Sequence, residues 1–195
     1  MMWMRLFTEY GGFSLKWMTG ILLFSLVSHC IAGSELHYRQ LIEHSLNKQP
    51  LCLGEKRWPV SIQIGSDQWT NAKMEALVDA GLINSREKSG RKTWMLTQYG
   101  QASLSKEHDF CYGVMRVRTL QDIQTDRTGV THVTFTYFIQ GIPAWAKNAS
   151  VRVANTDLDN LVTGIDSVRY EARFTHEPRG TTRLLAEPEQ MDLYY

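Results

Sequence analysis

Residues 18–32 form an apolar segment that constrains the fold and location of this chain more than any other feature of its sequence. The segment contains no Asp, Glu, Lys or Arg, and the nearest charged residue before it is Lys16. A basic flank, an apolar stretch and a small-residue exit are the parts of a secretory signal, and the stretch is shorter than the roughly 20 residues of a bilayer-spanning helix. We therefore expect residues 1–33 to be a signal peptide that is cleaved near Ala32 or Gly33.

Two alternatives for this segment stay open. An uncleaved segment would act as a signal anchor, and it would then be the protein's contact with a membrane. A buried core helix is the other alternative. We expect export, and therefore a periplasmic or secreted location, with the inner membrane as the alternative location.

Export changes the meaning of the cysteines, because it leaves only Cys52 and Cys111. An even pair in an oxidising compartment predicts a disulfide, and unpaired buried thiols are the alternative. The bridge would close a loop of roughly 60 residues, which contributes about 3 to 4 kcal/mol in the chain-entropy model. A catalytic cysteine would need a histidine such as His44 or His108 nearby in space, and no local motif marks either thiol as activated. Zinc-ligand spacing is absent from the sequence.

The overall charge of the chain argues against one class of partner. The formal net charge is +1 and the sequence pI is near 7.8, so no global field attracts nucleic acid or an anionic membrane. Hydrophobic residues make up 43% of the chain, which is enough for one compact core or two small ones. We expect a protein or an envelope component as partner, and we expect neither nucleic acid nor a cofactor.

The first half of the mature sequence combines helical and strand patterns. Apolar residues recur with helical spacing over 34–48 and 70–80, and Gly81 follows the second stretch as a C-terminal stop. Apolar and polar residues alternate over 58–64, which predicts a strand. Apolar stretches also flank a polar turn at 88–91, and that pattern predicts a β-hairpin.

From Cys111 onward, period-two alternation dominates. The clearest predicted strand covers residues 133–139, and residues 168–174 repeat the pattern. Shorter strands are predicted at 112–118, 150–154 and 181–185. We therefore predict an α+β protein, with a mixed region over 34–108 followed by an antiparallel β-sheet with one solvated face over 109–195.

The stretch from Met74 to Gly100 resembles the helix-and-wing part of winged-helix transcription regulators. It contains an amphipathic helix, then Gly-Leu-Ile, a basic hairpin turn and a Leu-Thr-x-x-Gly step that begins at Leu96. The resemblance implies a winged-helix-like N-terminal half. It departs from the family at 58–64, where a strand pattern stands in place of the second helix that family members have.

In the winged-helix comparison, the basic residues cluster on the wing: Arg86, Lys88, Arg91 and Lys92. A basic wing is able to contact phosphate, but a solvated turn is the simpler interpretation. An exported protein does not meet the chromosome. We therefore expect a structural or protein-binding role for this region.

Several short segments resemble small exported enterobacterial proteins of unknown role. These segments are Pro50-Leu51-Cys52-Leu53, Trp58-Pro59 and Phe110-Cys111-Tyr112-Gly113, together with the Leu-Thr-x-x-Gly step. The resemblance implies no mechanism.

One stretch has oxygen ligands at several positions of a twelve-residue calcium loop: Asn155, Asp157, Asp159 and Asp166. The match departs from that loop at its sixth position, where Asn160 replaces Gly, and at its twelfth, where Asp replaces the bidentate Glu. The alternative interpretation is an Asn/Asp-rich loop between two strands.

No nucleophile elbow and no phosphate-binding glycine loop is present in the sequence. Four tryptophans, at 58, 69, 94 and 145, would form either part of the core or a ligand groove. The leading hypothesis is a non-enzymatic exported binding module. The alternatives are a secreted enzyme or inhibitor with a site built from scattered residues such as His44, His108 and Asp109, and a signal-anchored regulator that uses the winged-helix-like region.

Overall fold

A computed structural model of the chain describes residues 34–177 and 180–191. The predicted signal segment, residues 1–33, therefore lies outside the described residues. The chain divides into two compact units, Met1–His37 and Tyr38–Tyr195. In the first unit, residues 34–37 are helical, and all that follows concerns the second.

Five helices and nine strands are described. The helices are α1 (34–46), α2 (Gln68–Asp79), α3 (Gln98–Ser103), α4 (Ala149–Ala154) and α5 (Thr156–Thr163), with a short 3₁₀ turn at Ala144–Lys147. The strands are β1 (Leu51–Cys52), β2 (Val60–Gln63), β3 (Ile83–Lys88), β4 (Arg91–Leu96), β5 (Cys111–Thr125), β6 (Thr131–Gln140), β7 (Arg169–His176), β8 (Thr182–Leu184) and β9 (Glu189–Gln190). The chain is thus an α+β protein.

The larger sheet is antiparallel, with strand order β1-β5-β6-β7-β8 and β9 also paired to β7. Its buried face carries the alternate residues of β6 that the period-two pattern predicts, from Val133 to Ile139. Helix α1 covers that face, and its Ile42 is fully buried among them. The predicted strands at 133–139 and 168–174 are confirmed.

The smaller sheet has the order β2-β4-β3, and α2 packs on it. Asp67 caps α2 by accepting a hydrogen bond from the Thr70 N–H, and Gly81 follows the helix with φ +74°. The hairpin β3–β4 turns at Ser89 and Gly90. The predictions of a strand near 58–64, a helix near 70–80 and this hairpin are confirmed.

One hydrophobic core joins the smaller sheet to the C-terminal helices. Trp94 and Leu77 lie in it together with Phe110, Trp145 and Leu158. These side chains come from both halves of the sequence, so α2, the start of β5, α4 and α5 pack as one body.

The predicted strand at 150–154 is wrong, and so is the loop predicted between two strands after it. Residues 149–154 and 156–163 form α4 and α5. Asn148 starts α4 because its side-chain oxygen accepts hydrogen bonds from two backbone N–H groups of the first turn. Residues 151, 154, 158 and 161 recur at helical spacing on the core-facing side, which outweighs the short alternation that had suggested a strand.

Candidate functional site

The disulfide joins β1 to β5 where the two strands pair. Cys52 and Cys111 are partners in the antiparallel register, with an S–S distance of 2.02 Å and Cα atoms 3.8 Å apart. The predicted pairing is confirmed. Because disulfides persist in oxidising compartments, the bond indicates a secreted or otherwise extracytoplasmic protein.

Asp109 has a structural role beside this disulfide. Its side chain is 2% exposed, and both carboxylate oxygens accept from the Gly54 N–H at 3.1 Å. His44 and His108 are exposed, and within residues 34–177 and 180–191 neither is joined to Asp109 by a side-chain hydrogen bond or an ion pair. The scattered residues named as a possible catalytic set are therefore not assembled by the contacts described.

The four residues of the calcium hypothesis do not form one chelating loop: Asp157 and Asp159 lie in α5, Asn155 is its N-cap, and Asp166 lies in the turn after it. Asp159 pairs with an arginine of α4 at 2.6 Å, and Asp166 accepts from an arginine of β5 at 2.6 Å. Asn155 donates to a backbone carbonyl of α4. Among the residues that the structure describes, no group of three or more His, Cys, Asp or Glu side chains could hold a metal ion. Asp157 is left facing a cavity.

Two of the four basic wing residues form ion pairs or hydrogen bonds within the smaller sheet and its helix α2. The Lys92 ammonium lies 3.0 Å from Glu75 of α2, and Arg91 donates to the Ser61 carbonyl at 3.1 Å. The other two, Arg86 and Lys88, are exposed on β3. The wing therefore presents fewer available cations than the sequence suggests.

Three adjoining cavities form a surface feature that we call the trough. The first lies between α2 and α4, the second between α2 and the start of α5, and the third between α5 and β7. Trp69 and Lys73 line both the first and the second cavity, and Asp157 lines both the second and the third. The shared residues place the three cavities next to one another.

The first cavity, of about 490 Å³, is the apolar end of the trough. Trp69 of α2 is 63% exposed at its edge, and Val153 of α4 is 85% exposed on the opposite side. Small side chains, Ala72 and Ala76 among them, form the lining between them. Because α2 and α4 pack through small residues here, the larger side chains stand out on either side of a groove.

The second cavity is small, about 150 Å³, and sits beside the disulfide. Cys52, Leu53 and Tyr112 line it together with Lys73 and Asp157. The Lys73 ammonium lies 5.2 Å from the centre of the Trp69 ring, a cation–π distance. Lys73 and Asp157 thus line the same cavity, and no ion pair between them is formed within the described residues.

The third cavity is the largest, about 660 Å³, and it is lined by tyrosines and polar groups. Tyr137 donates to the Leu161 carbonyl at 2.7 Å, and its ring packs edge-on against Tyr170. Burial raises the pKa of Tyr137, and burial followed by the charge of Asp157 raises the pKa of Tyr112 to about 12. These phenols therefore stay neutral at physiological pH and act as hydrogen-bonding and aromatic surfaces rather than as nucleophiles.

The tryptophans separate into two groups that the sequence alone does not distinguish. Trp94 and Trp145 are 0% and 4% exposed and belong to the core, whereas Trp69 is exposed on the trough. Trp69 is the second residue of α2, in its first turn, and the side chain faces solvent there. Its position in the first turn is visible in the sequence, but its exposure depends on the tertiary packing around α2.

Comparison with protein families matches residues 119–157 to the Fungalysin/Thermolysin Propeptide Motif. The match covers about one fifth of the chain, from the middle of β5 to the start of α5. It includes the α4 wall of the trough and Asp157. Neither the comparison with curated proteins nor the comparison with solved structures found a match.

No helix within the described part of the chain is both long and apolar enough to cross a membrane.

Proposed function

We propose that this chain is a non-enzymatic binding protein of the periplasm and that its partner is a protein. The observation that carries the proposal is the pair of exposed apolar side chains on facing helices, Trp69 and Val153. An exposed tryptophan beside an apolar groove is typical of a protein-binding surface, because aromatic residues contribute much of the binding free energy at such surfaces.

Within the extracytoplasmic compartments, we propose the periplasm as the location of this protein. The disulfide supports an oxidising compartment outside the cytoplasm. The apolar segment at 18–32 and the resemblance to small exported enterobacterial proteins favour the periplasm within that class.

The interactions of the polar side chains favour a binding role over catalysis. Asp109 fixes the loop after β1, and the trough tyrosines are neutral hydrogen-bonding groups. The half-buried Lys73 and the exposed Asp157 are separate charges that line one cavity, without a nucleophile between them.

The winged-helix resemblance concerns the shape of the smaller sheet and α2, not DNA binding. We propose that α2 and the hairpin β3–β4 correspond to the helix and wing of that family. The exposed start of α2 carries Trp69 rather than a cluster of cations, and Lys92 is paired with Glu75. These features support protein binding over nucleic-acid binding.

Site-specific crosslinking in the native host tests the surface. A photo-reactive phenylalanine analogue at position 153 is expected to form adducts with a partner protein, and the Trp69→Ala substitution is expected to remove them. The matched control carries the analogue at Tyr99, which is 48% exposed on α3 outside the trough. Adducts that form equally at position 99, or that persist in the Trp69→Ala protein, would contradict a partner at this surface.

The propeptide motif favours one class of partner, a secreted protease, because the motif is named for the propeptides of the proteases fungalysin and thermolysin. Purified thermolysin with a small peptide substrate is a direct probe. Addition of this protein is expected to slow hydrolysis, and the Trp69→Ala protein is expected to slow it less. Unchanged hydrolysis in the presence of a large excess of the wild-type protein would exclude this class for thermolysin-like enzymes and would leave other protein partners to the crosslinking experiment.

A further inference from the structure

We infer that the trough binds an extended segment of the partner that carries one bulky apolar side chain and at least one Lys or Arg. The inference rests on the proposed function, since it names how and through which chemistry the partner binds. It follows from the adjacency of the three cavities, from the apolar character of one end and from the charges along them.

The arrangement of three neighbouring cavities in a row favours an extended segment over a compact ligand. The three cavities run from the α2–α4 groove past the disulfide to the α5–β7 side, and they are linked through Trp69, Lys73 and Asp157. The middle cavity holds only about 150 Å³. A small cavity between two larger ones can hold the backbone of a partner segment, and each larger cavity can hold one of its side chains.

The apolar end specifies the first side chain. Trp69 and Val153 flank a lining of alanines between α2 and α4, and burying both would remove apolar surface that is now in water. A leucine or an aromatic residue of the partner fits this groove of about 490 Å³. We therefore assign the apolar anchor to the α2–α4 groove.

The charges specify the second side chain. Two carboxylates that line the trough, Asp79 and Asp157, form no ion pair within the described residues, and they outnumber the single ammonium of Lys73. The other lining acids are neutralised, because Glu75 pairs with Lys92 and Asp159 pairs with an arginine of α4. The lining of the trough is thus net acidic, which is complementary to a basic segment.

The surroundings of Asp157 suit a cation in particular. The carboxylate lies between the second and third cavities, where Tyr112, Tyr137 and Tyr170 provide aromatic surface. Lys and Arg bind favourably to a carboxylate and to aromatic faces at the same time. We therefore assign the basic side chain of the partner to the Asp157 end.

A random twelve-residue peptide library displayed on phage tests this inference with a defined probe. The full chain, produced by export with its disulfide formed, is the bait, and the Trp69→Ala protein is the counter-selection. Peptides retained by the wild-type protein alone are expected to combine a leucine or aromatic residue with Lys or Arg. A selection that retains no peptides, or one that retains acidic or charge-neutral peptides, would overturn the inference.

Fluorescence anisotropy of a labelled selected peptide then separates the two ends of the trough. Trp69→Ala is expected to weaken binding at least about tenfold, as for an aromatic hot spot. Asp157→Asn is expected to weaken it about three- to fivefold, as for an exposed charge pair, and to reduce its dependence on salt. The matched controls, Tyr99→Ala and Asp122→Asn, are exposed elsewhere and are expected to leave binding unchanged.

Other occupants give different results. If a second copy of the chain fills the trough, size-exclusion chromatography will show a dimer that Trp69→Ala dissociates, and the inference is wrong. If the Trp69-dependent crosslink to a partner forms but no peptide competes with it, the protein-binding function stands and the extended segment is wrong. If neither is observed, the proposed function itself fails.

Discussion

At the scale of single residues, Gly100 shows why the Leu-Thr-x-x-Gly step has its composition. Thr97 caps α3 by accepting from the Gly100 N–H, and its hydroxyl also lies 2.8 Å from the Gly81 carbonyl. The Cα of Gly100 then lies against the backbone of Leu82, so that a Cβ added there would be 1.8 Å from the Leu82 carbonyl oxygen. The step therefore fixes α3 onto the turn that follows α2.

The Gly100→Ala substitution is expected to destabilise the protein by about 1 to 3 kcal/mol, because backbone atoms must move apart to admit the methyl group. Urea unfolding followed by circular dichroism measures the change. The control is Gln101→Ala, one residue further along α3 and exposed, which is expected to leave the midpoint nearly unchanged. A Gly100→Ala protein as stable as the wild type would show that α3 is not held by this contact.

At the scale of elements, His132 ties the turn between β5 and β6 to β7. Its Nε2 lies 3.2 Å from Asp126, and its Nδ1 lies 3.2 Å from Glu171. The hydrogen bond to Asp126 and then the one to Glu171 raise the pKa of His132 above its ordinary value of 6.5. An imidazolium donates to both carboxylates, whereas a neutral ring has one proton and can donate to only one of them.

The sign of the resulting pH dependence follows from the raised pKa. The contribution of His132 to stability is fully present below about pH 6.5 and is lost as the pH rises through the folded-state pKa. His132→Gln is therefore expected to lower the melting temperature more at pH 5.5 than at pH 8.5. Thermal unfolding of both proteins at the two pH values measures this.

The control for this prediction is His44→Gln, because His44 is exposed on α1. Its effect on the melting temperature is expected to be small at both pH values. Asp126 sets the lower pH limit of the range in which the interaction with His132 is stabilising. Its pKa is lowered, chiefly by the Thr128 hydroxyl, so its contribution is lost only as the pH falls below the ordinary value of 3.8. An equal effect of His132→Gln at both pH values would show that the charged ring contributes nothing.

At the scale of the whole molecule, the disulfide and the shared core join the elements of the second unit, from Tyr38 to β9, into one body. The bond joins residues 59 positions apart and attaches β1 to the long strand β5. Phe110 beside it is fully buried, and its ring packs edge-on against the rings of both Trp58 and Trp145. The covalent link and the aromatic contacts thus meet at the same place, next to the middle of the trough.

The double substitution Cys52→Ser and Cys111→Ser is expected to reduce the free energy of unfolding by about 3 to 4 kcal/mol, because the unfolded chain gains the entropy of an open loop. Urea titration measures the loss, and reduction of the wild-type protein with dithiothreitol should shift the midpoint by a similar amount. A double variant within about 1 kcal/mol of the oxidised wild type would contradict a stabilising role for the bond.

Local patterns in the sequence predicted the elements whose periodicity is long or whose ends are marked. The alternation over 133–139 identified β6, and the stop at Gly81 with the polar turn at 88–91 identified α2 and its hairpin. The pairing of Cys52 with Cys111 followed from their number once residues 1–33 are set aside. Each of these predictions uses only residues that are neighbours in the sequence, or the number of cysteines. One sequence is therefore enough to make them.

The α4–α5 region and the trough depend on information that no local pattern carries. Residues 150–154 alternate as a strand would, and only burial of 151, 154 and 158 against α2 and Phe110 makes them helical. Likewise, Trp69 and Trp94 are the same residue type near the same helix, yet one is exposed and the other fully buried. The sequence by itself determined the α+β class, the disulfide and most strands. Periodicity is a local property, and an even number of cysteines can be counted without knowing the fold. Tertiary packing decided which carboxylates are paired, which tryptophan faces water and where a partner can bind, because those depend on elements far apart in the chain.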